Sequence, residues 1–368
     1  MKKILSSLLA LSVLFGSAAY LGNSKTADMN FGTQAYAADI VKSGVCGENL
    51  TWTLDSEGLL SIKGTGEMTD WKYHTFSAEI TGFVDVNFNG DPVPWFEDRD
   101  SIKRVEIGEG VTSVGNMAFI GTKAESVNLP DSITKIGEDA FCCCTYLQNI
   151  NIPCNTEAIG EGAFYSCYSL ESLDIPPSLK IIEDLAFCRC TCLTELDIPE
   201  GVEKIENYAF EYCTRLVSVN ISASVNEIGS DAFKECFCLE SVFIANPDCV
   251  IYDASDTFCN ETKKFILYGY EGSTAQAYAE KYGYNFVAIM LGDADFDGAV
   301  NSSDASLILA DYASSATGSG HILTAEELVI ADVNSDNAVD ASDASTVLAY
   351  YAYTATGGDM SLADFIKK

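Results

Sequence analysis

Between Gly292 and Asp304 the sequence reads GDADFDGAVNSSD, which places oxygen-bearing side chains at Asp293, Asp295, Asp297, Asn301 and Asp304. Between Ala331 and Asp343, ADVNSDNAVDASD repeats the layout 39 residues later with Asp332, Asn334, Asp336, Asp340 and Asp343. The runs that follow, DASLILADYA from Asp304 and DASTVLAYYA from Asp343, agree at seven of ten positions, so the second segment is an internal duplicate of the first. Oxygen donors at positions 1, 3, 5, 7, 9 and 12 of a twelve-residue loop enclose a hard divalent cation, position 7 contributing its backbone carbonyl. The first loop then offers Asp293, Asp295, Asp297, the Ala299 carbonyl, Asn301 and Asp304. The second offers Asp332, Asn334, Asp336, the Ala338 carbonyl, Asp340 and Asp343. Position 6, where the chain turns sharply, is Gly298 in one and Asn337 in the other, both suited to a left-handed backbone. Four aspartates converging in each loop repel one another unless a cation sits among them, so the expectation is two Ca2+ ions that form part of the fold.

The loops differ from the usual EF-hand in having Asp at position 12, where Glu is usual, and in having a helix after each loop with no convincing one before it. In these features residues 290–368 resemble a dockerin, the duplicated calcium-loop module that plugs secreted proteins of anaerobic fibre-degrading bacteria into cohesin domains of a cellulosome scaffold. The resemblance implies a small all-α domain with two EF-hand-like calcium loops and a cohesin domain as partner. It also implies that positions 10 and 11 of each loop face that partner, here Ser302 and Ser303, and Ala341 and Ser342. The two halves differ at these positions, which leaves open whether both bind. Within the insert SSATGSGHILTAEE (314–327), Thr324 and Glu327 fit a capping box opening a short helix.

Upstream, the pair Ala-Phe recurs at Ala118, Ala140, Ala163, Ala186, Ala209 and Ala232, at a period of 22 once and then 23. A fixed period of this length marks a solenoid. After Phe164 come Cys167, Leu170, Leu173, Ile175 and Pro176, and later units repeat the pattern at Cys190, Leu193, Leu196, Ile198 and at Cys213, Leu216, Val219, Ile221. The alternating run LESLDI (170–175) predicts one strand per unit, with Leu173 and Ile175 inward and Asp174 outward. No unit closes a core alone, so the strands must stack in parallel. The pattern over roughly 102–245 resembles BspA-type leucine-rich repeats of bacterial surface and secreted proteins. That resemblance implies a β-rich N-terminal cap at 46–71 and a C-terminal cap at 267–289 with a helix at 273–282.

The fold class expected is therefore mixed, a leucine-rich-repeat solenoid with a parallel β-stack followed by the dockerin. The domains are a signal peptide at 1–37, an N-terminal β-rich cap at 38–101, repeats with their cap at 102–289, and a dockerin at 290–368. Met1-Lys2-Lys3 followed by an apolar run from Ile4 to about Ala19 carries the signal reading, with cleavage after Ala37 or after Ala19. The 368 residues carry 54 acidic against 21 basic side chains, a formal charge of −33, which argues against nucleic acid and against anionic membrane surfaces. Cys144, Cys167, Cys190, Cys213 and Cys236 occupy one repeat position, so the reading of the 14 cysteines is buried free thiols. A zinc site is not expected, since the two histidines, His74 and His321, fall in different domains.

No GxSxG elbow or nucleophile-and-histidine arrangement occurs, and acidic residues are too common for one glycosidase pair to stand out. The function expected is a secreted, non-catalytic cellulosome component held at the cell surface through its dockerin. Its solenoid would recognise a protein or plant-cell-wall material through outward columns such as Asn128, Asn151, Asp174, Asp197, Asn220 and Phe243, or Gln148, Glu171, Thr194, Val217 and Glu240. Ring stacking on a polysaccharide would fall to Trp52, Trp71, Tyr73 or Trp95, residues that a place in the core explains equally. The alternatives are a dockerin-borne polysaccharide hydrolase and a structural spacer without ligand.

Overall fold

The computed structural model describes residues 38–78, 84–258, 265–323, 325–334 and 338–366. The signal-peptide reading of 1–37 lies outside them. Among the described residues no helix is long and apolar enough to cross a membrane.

Each repeat winds through two strand positions and one tight turn. On one side a sheet begins with antiparallel strands Ile40–Gly47, Leu50–Asp55 and Leu59–Gly64 and continues in parallel through Arg104–Ile107, Ser126–Asn128 and Asn149–Ile150. A second parallel run, Glu195–Ile198, Ser218–Ile221 and Ser241–Ile244, leads into Ile266–Tyr270 and Asn285–Ile289. The expected strand at 170–175 falls between these two sheets and carries no strand pairing. Its alternation persists nonetheless, with Leu173 and Ile175 buried and Asp174 exposed, because side-chain packing holds the register where the ladder is interrupted.

A strand position that the periodicity reading missed lies four residues before each Ala-Phe pair. There Lys135–Ile136, Ala158–Ile159, Ile181–Ile182, Lys204–Ile205 and Glu227–Ile228 form short parallel pairs along a second side. Ile136, Ile159, Ile182, Ile205 and Ile228 are all buried there.

The turn around Ala-Phe is built on left-handed residues. The residue before Ala has positive φ in every unit, at Met117, Asp139, Gly162, Leu185, Tyr208 and Asp231, and so does the fourth after it, at Gly121, Cys143, Ser166, Arg189, Tyr212 and Glu235. Non-glycine residues pay steric strain for this geometry. The return is pairing of the turn's backbone across units: the N–H groups of Leu185, Phe187 and Arg189 donate to the carbonyls of Asn207, Ala209 and Glu211. Backbone that would otherwise be buried and unpaired is thereby satisfied.

Inside the coil the phenylalanines stack from Phe119 through Phe141, Phe164, Phe187, Phe210 and Phe233 to Phe258 at 5.2–5.5 Å. The conserved geometry of the cysteine column follows from the same turn. Each thiol donates to the Phe carbonyl of the preceding unit, Cys167 to Phe141 at 3.3 Å, and Cys190, Cys213 and Cys236 to Phe164, Phe187 and Phe210 at 3.4 Å. No disulfide joins any two of the thirteen described cysteines, and burial pushes the Cys144 and Cys213 thiols up to about 12.

Both ends of the stack are closed by aromatic side chains. Trp95 continues it at 5.8 Å from Phe119, and Trp52 and Trp71 pack edge-on against Trp95. At the other end Phe258 meets Tyr278 of helix α1 (Thr274–Tyr282), which Ser273 caps through the Gln276 N–H. This is the C-terminal helix expected from the sequence.

The last part of the chain is helical: α2 (Ser302–Ala316), α3 (Ala325–Ala331), α4 (Ala341–Ala355) and α5 (Leu362–Ile366). Helix α3 precedes the second loop directly, where the sequence suggested only a short capped helix. Thr324, the expected cap, lies outside the described residues. Ala305, Ile308, Ala344 and Val347 close a small core between α2 and α4 with Ala294, Leu323, Ala331, Val333 and Leu362.

Candidate functional site: two duplicated acidic loops on a helix pair

In the first loop the aspartate at position 12 organises the backbone. Asp304, fully buried, accepts the Asp295 N–H at 3.2 Å through Oδ1 and the Asn301 N–H at 2.8 Å through Oδ2. Asp293, 5 % exposed, accepts the Asp297 N–H at 3.1 Å and the Gly298 N–H at 2.9 Å, and Gly298 takes a φ of 87°. The carboxylates of Asp293, Asp295 and Asp297 come within 4.8 Å of one another. Burial raises the pKa of Asp293 and of Asp304 against the backbone N–H groups that each accepts, with Asp304 adding to the rise at Asp293 and Asp295 to that at Asp304.

The second loop repeats this arrangement. Asp343, also fully buried, accepts the Asn334 N–H at 3.3 Å through Oδ1 and the Asp340 N–H at 2.9 Å through Oδ2. These are the same two contacts displaced by the 39-residue repeat, so the duplication seen in sequence is one of geometry. Asp336 and Asn337 lie outside the described residues. Asp332 and the Ala338 carbonyl stand at either side of that gap.

Position 12 has a second task. Asn301 and Asp340 are the N-caps of α2 and α4, and Asp304 and Asp343 occupy the third helical position, completing a capping box in each half. The short aspartate therefore serves loop and helix at once. The donor set fits calcium: hard oxygens only, three carboxylates already converging in the first loop, and side chains partly withdrawn from water, where like charges repel most. Asp293, Asp295, Asp297, the Ala299 carbonyl, Asn301 and Asp304 would hold one ion, and their counterparts from Asp332 to Asp343 the other.

Ser302, Ser303, Ala341 and Ser342 are exposed at the starts of α2 and α4. The helices also show a matched apolar pair that sequence reading passed over. Leu309 and Tyr312 are each 42 % exposed, and Leu348 and Tyr351, at the same positions of the duplicate, are 42 % and 43 % exposed. The signal was available, since both pairs lie within the seven-of-ten identity.

The insert after α2 is held by Asp311, which accepts the Ile322 N–H at 2.7 Å, the Leu323 N–H at 3.0 Å and His321 Nδ1 at 2.7 Å. Burial opposes its charge, but these donors outweigh it and hold the carboxyl below its usual range.

On the solenoid, Asn128, Asn151, Asp174 and Asp197 are exposed and Asn220 is half-buried, donating through Nδ2 to Asp197 Oδ1 at 2.7 Å. Gln148, Glu171 and Glu240 are exposed, and Thr194 and Val217 half-buried. Two expectations are corrected here. Trp52, Trp71 and Trp95 are buried caps of the aromatic stack, so none offers a ring to a polysaccharide, and only Tyr73 of that group is exposed. Phe243, expected as an outward residue, is 3 % exposed because Ile330 of α3 covers it, together with Ala245 and Ile289.

The family model of the BspA type leucine rich repeat region matches residues 94–194 and 180–272 in six copies, and that of the dockerin type I domain matches 291–351. The chain is thus a BspA-type leucine-rich-repeat solenoid that ends in a dockerin type I domain. A dockerin of this type implies a cohesin partner in a cellulosome-like setting, and leucine-rich repeats suggest recognition; neither is a catalytic domain. Among solved structures, the chain is similar to the T. pallidum leucine rich repeat protein (21% identity, 65% of this chain and 96% of that one, TM-score 0.39). It is also similar to leucine-rich repeat proteins from Bacteroides ovatus ATCC 8483 (18%, 61% and 70%, 0.36) and Eubacterium ventriosum ATCC 27560 (19%, 57% and 73%, 0.29). No curated protein matches the chain.

Proposed function

We propose that this chain is a secreted, non-catalytic cellulosome component. Its dockerin, at 290–368, binds a scaffold cohesin in a calcium-dependent way, with one ion in each loop and with Ser302 and Ser303 of one half or Ala341 and Ser342 of the other at the contact. The solenoid, at 102–289 behind the cap at 38–101, is the cargo, and its polar strand columns recognise a protein or plant-cell-wall material. The observation that carries this reading is the repeated pair of contacts at Asp304 and Asp343, which sets two equivalent acidic loops at the heads of two helices with matching exposed faces.

The test is retention of the full chain on an immobilised type I cohesin in millimolar calcium and in excess chelator. Retention only with calcium supports the reading. Replacing Asp293 and Asp332 together by Ala removes the first ligand of both loops and is expected to abolish retention while the solenoid stays folded; unchanged retention would overturn the two-ion model. Release of reducing sugar from cell-wall polysaccharides by the chain would replace the non-catalytic reading with the hydrolase.

A further inference from the structure

The two halves of the dockerin present matching faces, but the solenoid stands against only one end of the helix pair. Tyr312, Ser315 and Ala316, in the last turns of α2, line a cleft together with Val339 and Asp340 at the entry to α4, and the opposite wall is the solenoid strand face around Ser222. Helices α2 and α4 are each fifteen residues long and pack on one another, and this shared lining places the end of α2 with the start of α4, so the pair runs antiparallel. By the same geometry the start of α2, with Ser302 and Ser303, lies with the end of α4, with Tyr351. Ser302, Ser303 and Tyr351 stand clear of the cleft, whereas at the other end Tyr312 lines it and the exposed Ala341 and Ser342 follow directly on Asp340 in its wall.

The cleft has a volume of about 960 Å³, which admits a few side chains and no folded domain. It is also held in place. Ile330, 1 % exposed, is seated on Phe243, Ala245 and Ile289, and only residues 290–292 separate the last solenoid strand, Asn285–Ile289, from the first calcium-loop residue, Asp293. With so short a connection the dockerin stays beside the solenoid, and the seat of Ile330 on Phe243 fixes its orientation there. Phe243 is the departure that makes the seat: its column neighbours in register are Asn220 and Tyr268.

We infer that the solenoid blocks one of the two pseudo-equivalent docking ends, and that a cohesin is received in a single orientation through the end formed by Ser302, Ser303 and Tyr351. The inference rests on the cohesin reading above and adds to it which half binds. It makes the solenoid a determinant of how the chain is aimed once docked.

The test uses the full chain and a type I cohesin domain in millimolar calcium. Ser302→Arg with Ser303→Arg is expected to weaken binding by roughly 100-fold, and Ala341→Arg with Ser342→Arg by less than about threefold. Both pairs place the same charges at the same helix positions, so each controls for the other's effect on folding. Adding Phe243→Asn, which restores the residue that Asn220 holds one unit earlier, loosens the seat and is expected to return at least about tenfold of the affinity lost by the Ser302 and Ser303 pair. Equal losses from both arginine pairs, loss only when both are combined, or no recovery with Phe243→Asn would overturn the inference. An unaltered chain that binds no cohesin would overturn the docking reading itself and this inference with it.

Discussion

Asp139 is buried at 9 % exposure in a left-handed turn position of the solenoid, at a φ of 51°. Burial first, and then Glu138 and Glu161, push its carboxyl from 3.8 up to about 7, against a thiol hydrogen bond from Cys142 that pulls it down. A folded pKa above the unfolded one means that the native state holds the proton more tightly. The penalty is therefore absent below about pH 4, grows as pH rises, and is complete above about pH 7. Three pH units at 1.36 kcal/mol each place the full penalty at about 4 kcal/mol, and at pH 5 it is still below about 2 kcal/mol. Asn keeps the shape and tolerates the left-handed backbone, but carries no charge. Asp139→Asn is thus expected to gain about 2–3 kcal/mol relative to the native chain between pH 5 and pH 8. Chemical denaturation of both proteins at the two pH values, with calcium present throughout, measures that difference. A stability difference that does not change with pH, or that falls as pH rises, would refute the burial argument.

Two further outcomes follow from the turn and from the thiol ladder. Gly162 holds the position that Asp139 holds one unit earlier, at a φ of 60°, and a Cβ there would sit 2.6 Å from Asp139 Oδ1, so Gly162→Ala is expected to destabilise the solenoid by about 1–2 kcal/mol in thermal or chemical unfolding. An aromatic disulfide reagent on the native protein is expected to label Cys154, Cys192 and Cys238 among the described cysteines and to reach the column from Cys144 to Cys236 only after denaturation; rapid labelling of the column would contradict its burial.

Much of this architecture was legible because it repeats. The Ala-Phe period marks the coil, and the spacing of Asp293, Asp295, Asp297 and Asp304 marks the loop, since a repeated constraint leaves a repeated residue. The second strand of each unit left only two residues, as at Lys135–Ile136, too few for an alternation to register. The left-handed positions left no residue type at all: Met117, Asp139, Leu185 and Tyr208 share a φ but nothing chemical, because inter-unit hydrogen bonds hold them there against their own preference. Tryptophans gave the opposite error. Trp52, Trp71 and Trp95 look like rings for a sugar, yet a solenoid end leaves a Phe face uncovered, and covering it takes the largest apolar side chains available.

Phe243 shows why the dockerin's surroundings could not be read from either domain alone. In the repeat frame it is an outward residue in a polar column, and nothing in the frame says what would cover it. In the dockerin, Ile330 is an apolar residue on a short helix whose own core is already closed by Ala331 and Val333. Each is an anomaly within its own module, and the two cancel when brought together at residues 3 % and 1 % exposed. Burying such a pair stabilises by roughly 1.5–3 kcal/mol per side chain, which is enough to favour a fixed docking of modules joined by three residues. The duplication makes the two halves of the dockerin alike, and this contact with the solenoid is what makes them unequal.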